Sequence, residues 1–132
     1  MIERALYQTV NPILKAYPLE ALAQETDSST GLLKGVKPPL AIYSESYQPL
    51  FTKDAIAYYQ GTLFVSIVAK TKLEVRDYSL QMIEVLKNIS GTTVDGTEFL
   101  HVRQANELAI DYDPEDQAFY SELSFNFKSK NL

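Results

Sequence analysis

The sequence predicts an α+β fold: a mainly antiparallel sheet of about four strands with two main helices packed on one face, in the order α-β-β-α-β-β. Two apolar patterns at helical spacing, over residues 2–17 and 71–90, predict the helices. Period-two alternation over residues 60–70 and 119–128 predicts the strongest strands. Runs of strands backed by helices define the class.

At the start of the chain, Ile2, Ala5, Leu6, Val10, Ile13, Leu14 and Tyr17 recur at spacings of one, three and four. Pro12 lies inside this run and removes an amide donor, so a kink or a break into two short helices is expected. Pro18 permits a fresh helical start through Leu19-Glu20-Ala21-Leu22-Ala23. From Glu25 to Lys37 the pattern dissolves into a long surface loop of the kind that tends to be functional or mobile. Leu40 to Glu45 reads as a short strand after Pro38-Pro39, and Ser46 to Ala55 as a second irregular stretch carrying Tyr47, Leu50 and Phe51.

Gln60 to Lys70 places Leu63, Val65, Ile67 and Ala69 on one face and Phe64, Ser66 and Val68 on the other. Both faces are largely apolar, which predicts a central strand. Thr71-Lys72-Leu73-Glu74 is a capping box, in which the threonine oxygen accepts an amide of the first turn. The helix it opens puts Val75, Tyr78, Met82, Val85, Leu86 and Ile89 on one face and is ended by Gly91. Asp95-Gly96 predicts a tight hairpin turn. Glu98 to Ile110 reads as one long strand or two shorter ones, Asp111 to Asp116 as an acidic turn. Phe119, Ser121, Leu123, Phe125 and Phe127 then form the apolar face of a closing strand.

The whole chain, residues 1–132, reads as a single domain, a length that buries enough surface for a core without staples. Hydrophobic residues at 45% and charged residues at 22% argue against disorder. The absence of cysteine excludes disulfides, thiolate metal ligands and cysteine nucleophiles. A net charge of −5 repels nucleic acid. No window holds the roughly 18 uncharged apolar residues of a membrane span, so no membrane partner is expected. Met1-Ile2-Glu3-Arg4 opens no secretion signal, which makes a cytosolic origin the default expectation.

Chemical motifs are weak. His101 is the only histidine, so no metal pair can form around it, and a strand histidine making an ordinary hydrogen bond is expected. Asp111, Asp113, Glu115 and Glu122 fall at calcium-loop positions, but Asp116 replaces the glycine of the bend and Pro114 intrudes. A solvated turn between strands is the better reading. Gly31 and Gly35 lack the lysine–serine of a phosphate loop, and Asn88-Ile89-Ser90 is a sequon on a helix of a chain without an export signal. No catalytic, cofactor-binding or metal site is expected, and no enzyme activity. Tyr43, Tyr47, Tyr58 and Tyr59 serve either the core or an interface, where tyrosine is enriched.

Three segments resemble the small tail-completion proteins of long-tailed bacteriophages, which include tail-to-head joining and tail-terminator proteins. The N-terminal helix Ile2-Glu3-Arg4-Ala5-Leu6-Tyr7 is followed by the proline-led strand Pro38-Pro39-Leu40-Ala41-Ile42-Tyr43. A strand, Val65 to Thr71, runs directly into a helix reaching Leu86, and the chain closes with Tyr112 to Asp116 and Tyr120 to Phe127. The chain departs from the family pattern in its longer loop at Glu25 to Lys37 and in the stretch around Tyr47 to Asp54.

The resemblance implies a structural virion protein that self-associates into a ring, commonly a hexamer, on the tail-tube protein and docks the head-connector protein. DNA would pass through the opening without specific binding. The protein would reside in the virion tail, after assembly in the host bacterial cytoplasm. Thr26, Asp27, Lys34, Lys37, Tyr47, Phe51, Tyr58 and Tyr59 are the expected subunit-interface residues. The alternatives are a small-molecule-binding or minor enzymatic α+β domain, with a pocket drawing on His101 and Tyr112, or a component of a phage-like injection system.

Overall fold

The computed structural model describes residues 2–19, 38–51 and 56–131. In chain order the elements are α1 (Ile2–Val10), β1 (Ala16–Pro18), β2 (Leu40–Phe51), β3 (Ile56–Ala69), α2 (Lys72–Asn88), β4 (Thr93–Val94), β5 (Thr97–Gln104), β6 (Ile110–Asp113) and β7 (Ala118–Asn131).

The fold class differs from the one the sequence predicts. The described residues form a mostly β structure: seven strands in a curled, mixed half-barrel sheet with two helices, where a four-stranded α+β sheet was expected. The strands run β1-β2-β3-β7-β5-β4, with β6 paired to β7 beside β5. The β1–β2 pair is parallel and every other pair is antiparallel.

Three local readings account for the undercount. Residues 16–18, expected to be helical, form β1 against Ala41, Ile42 and Tyr43. Pro12 cannot donate an amide hydrogen bond, so α1 stops at Val10. The Asn11 side-chain oxygen then accepts from the Ala16 amide at 3.1 Å and turns the chain into the sheet. Residues 46–51, expected to be irregular, continue β2 and pair with β3 out to Phe51. The acidic stretch is divided, with Ile110–Asp113 forming β6 and residues 114–117 forming the turn into β7.

Two sources bend the sheet. Register shifts at Leu50/Phe51 and Phe99/His101 insert bulges, which sharpen the local twist. Gly61 lies opposite Tyr47 at a point where the two backbones approach so closely that a Cβ would sit 2.2 Å from the Ser46 carbonyl oxygen. Only glycine allows that approach.

The core lies on one side of the bent sheet. Ile2, Ala5, Leu6 and Val10 of α1 and Val75, Met82 and Leu86 of α2 join Leu63, Val65 and Ile67 of β3, Phe99 of β5, and Leu123, Phe125 and Phe127 of β7. The Thr71 hydroxyl accepts the Glu74 amide at 3.2 Å and opens α2, as its sequence predicts. Asp95 and Gly96 have φ of 48° and 78°, the left-handed pair that a two-residue hairpin between β4 and β5 requires. The predicted helical start at 19–23 (beyond Leu19), the loop at 25–37 and the last four residues, 52–55, of the stretch expected to be irregular lie outside the described residues.

Candidate assembly surface

Strand alternation sends every second residue of β2, β3 and β7 away from the core. On this outer face Leu40, Ile42, Ser44 and Ser46 of β2 stand beside Val68, Ser66, Phe64 and Thr62 of β3. These in turn stand beside Tyr120, Glu122, Ser124 and Asn126 of β7. The strands share one face, but its chemistry changes along their length.

One end is apolar and acidic. Leu40, Ile42, Val68 and Ala118 form a second, small core cluster against which Tyr17 and Tyr120 pack. Pro114 and Asp116 of the turn of residues 114–117 border an open hollow of about 400 Å³ there, lined by Ile42, Val68 and Tyr120 with Asp113 and Glu122 among its other residues. The Glu115 amide donates to an Asp113 carboxylate oxygen at 2.9 Å and shapes the turn. Burial, and then the charge of Asp113 and a hydrogen bond with it, hold the Asp116 carboxyl above its usual pKa, with Glu115 adding to the rise. The site disfavours an extra negative charge and would favour a positive one.

The middle carries Phe64, which is 48% exposed on the central strand β3. The far end is polar and basic. Gln48, Gln60, Thr62, His101, Arg103 and Asn126 are among the residues around a hollow of about 570 Å³. The Thr62 hydroxyl donates to the Asn126 side-chain oxygen at 3.2 Å. The Lys128 ammonium lies 4.6 Å from the centre of the Tyr58 ring, a cation–π contact. His101 is on a strand, as expected, but its Nδ1 is buried without a hydrogen-bond partner, where an ordinary hydrogen bond was expected.

The expected interface residues fall into separate settings. Tyr47 donates its hydroxyl proton to a Glu3 carboxylate oxygen, and its ring meets that of Tyr59 edge-on at 5.7 Å. Both rings pack against the main core. Phe51 is 71% exposed at the end of β2, and Tyr58 lies under Lys128 on the outer face. Thr26, Asp27, Lys34 and Lys37 lie outside the described residues. His101 and Tyr112 are not brought together: His101 borders the basic hollow and Tyr112 the acidic cavity.

Motif reading overlooked the outer face as a unit. A signal for it exists in the sequence, because residues 105–127 contain six acidic side chains and no lysine, arginine or histidine. The calcium spacing tested there is taken apart by the strands, with Asp111 and Asp113 on β6 and Glu122 on β7.

Fold and surface together define a small β-rich domain with both described helices in one core and a charged, partly apolar sheet face on the opposite side. Among solved structures, one chain of a structure described as the virion of a native gene transfer agent (GTA) particle shares this fold. It aligns with a TM-score of 0.63 over 97% of this chain and 96% of that chain, at 10% sequence identity. No protein-family model matches the chain, and no curated protein matches it. Among the described residues, no helix is long and apolar enough to cross a membrane.

Proposed function

We propose that the chain is a structural protein of a phage-like virion, that it completes the tail, and that it joins the tail to the head connector as a ring on the tail tube. The observation that carries this reading is the end-to-end fold match to a chain of the GTA virion structure. A match over nearly the full length of both chains leaves little of either outside the shared fold. The segment order of the tail-completion family points the same way.

The surface chemistry supports an assembly role. A closed ring needs two unlike patches on each copy, because each subunit meets its neighbours through different surfaces. The sheet face supplies unlike ends, one acidic and one basic. A hexameric ring would pass DNA through its opening, and a net charge of −5 would keep the duplex from adhering to the wall. The chain would work by contact alone, with no catalytic step, and would be assembled in the host bacterial cytoplasm.

The test uses a tail-tube protein from the genome that encodes this chain. Tubes polymerised with the purified chain present should stop at a limited length and carry extra density at one end in electron micrographs. Tubes that grow as long with the chain as without it, and show bare ends, would refute tail completion.

A further inference from the structure

Asp113, Asp116 and Glu122 border the cavity at one end of the sheet face, and Arg103 and Lys128 stand towards its other end, opposite Asn126 of β7 and Gln60 of β3 respectively. Glu122 and Lys128 both point outward from β7, six residues apart, or roughly 20 Å along the strand. Arg103, Lys128, Asp113, Asp116 and Glu122 enter no ion pair among the described residues, unlike Arg4 with Asp95 and Arg76 with Asp77. Within one copy these opposite charges are too far apart to neutralise each other. At the acidic end they rim a cavity with an apolar floor of Ile42, Val68 and Ala118. That combination suits a lysine or arginine, whose alkyl stem covers apolar surface while its head meets carboxylates.

We infer that this sheet face joins copies of the chain head to tail, the acid-rimmed cavity of one copy receiving the Arg103 and Lys128 end of the next. The occupant is a second copy because the face already presents both partners of the contact. Acid and base are complementary, and exposed Phe64 between them supplies apolar area to bury. Copies offset along the strands leave one acidic and one basic end unpaired for the next copies, the heterologous mode that a ring requires, whereas two copies turned end for end close as a pair. The inference rests on the self-association in the proposed function and names the surface that performs it. An incoming cation would lower the pKa of the Asp116 carboxyl, which burial and Asp113 hold up within one copy.

Sedimentation equilibrium of the full chain from about 10 µM to about 1 mM tests it. Self-association should appear in this range and weaken as salt rises. Asp113→Lys with Glu122→Lys makes both ends basic, and Arg103→Glu with Lys128→Glu makes both ends acidic. Each double variant alone should associate at least roughly tenfold more weakly than the parent chain. An equimolar mixture of the two should associate again, because every unlike contact restores acid against base. A parent chain that stays monomeric to the highest concentration overturns the inference. Reversed variants that associate as well as the parent, or folded variants whose mixture fails to associate, also overturn it.

Should a reversed variant fail to fold, Glu122→Gln and Arg103→Gln at exposed positions replace it, and unchanged association in both overturns the inference. Reversed variants that lose tube capping while the parent chain remains monomeric assign the face to another protein and overturn the second copy as occupant. Normal association with failed tube capping sinks tail completion alone.

Discussion

The hydroxyl of Ser79 on α2 lies 2.7 Å from the hydroxyl of Ser121 on β7, with both residues fully buried. The contact is a polar tie in an otherwise apolar interface. Ser121 also pairs with Ile67 of β3 and Ile110 of β6, so the tie sits where three strands meet beneath the helix. Two small side chains let α2 come close to the sheet, and each satisfies the other.

Removing one hydroxyl leaves the other buried without this partner. Ser79→Ala and Ser121→Ala should each destabilise the chain by about 1–2 kcal/mol in urea unfolding. The double variant should lose clearly less than the sum of the two, because it strands neither group. Strict additivity would show that the hydroxyls are not coupled.

Gly61 should not tolerate any side chain. A Cβ there meets the Ser46 carbonyl oxygen at 2.2 Å and the Tyr47 Cβ at 2.5 Å, so main chain must move. Gly61→Ala is expected to cost about 3 kcal/mol and to lower the thermal midpoint by many degrees. A melting curve unchanged from the parent would mean that β2 and β3 do not approach this closely.

Asn106 takes the place of a strand between β5 and β6. Its side-chain nitrogen donates to the Glu122 carbonyl at 2.8 Å, and its side-chain oxygen accepts the Ser124 amide at 2.9 Å, so an amide side chain continues the ladder along β7. Asn106→Ala should cost about 1–2 kcal/mol. It should also speed hydrogen exchange at the Ser124 amide more than at Leu123 or Phe125, and unchanged exchange at Ser124 would contradict the role.

Tyr47 links stability to alkaline pH. Its hydrogen bond to Glu3, then burial and the negative charge of Glu3, push the phenol up to about 12 from 10.0. As pH rises above 10, the unfolded chain loses this proton first, so the folded state binds more protons and stability falls. The contribution is complete below pH 10 and is lost as pH rises towards 12. The gap in unfolding free energy between the parent chain and Tyr47→Phe should therefore be largest at pH 8 and shrink by pH 11; a gap that is constant with pH would sever the link.

Local chemistry was legible where one residue type has one physical use. Thr71 capped its helix, Asp95-Gly96 turned its hairpin, and the alternation of Leu123, Phe125 and Phe127 marked the buried face of β7. Placing β3 at the centre followed from its two apolar faces, and β2 and β7 flank it. The reading failed at Ile13, Leu14 and Tyr17, whose spacing suits a helix as well as the entry to a short parallel strand. It failed again at Ser46 to Phe51, where Pro49 and the lack of strict alternation hid a strand held by main-chain pairing to β3.

By itself the sequence determined which residues turn inward and where several elements begin, because a side-chain period depends only on the local backbone. It could not determine that β7, last in the chain, is inserted between β3 and β5, or that the sheet curls through seven strands. Those were decided by tertiary structure, since a strand's hydrogen-bonding edges carry no sequence mark of their partner. The charged face arose the same way: alternation along β7 puts Glu122 and Lys128 on one side, but Arg103 joins them only when β5 pairs with β7, and Asp113 only when β6 does.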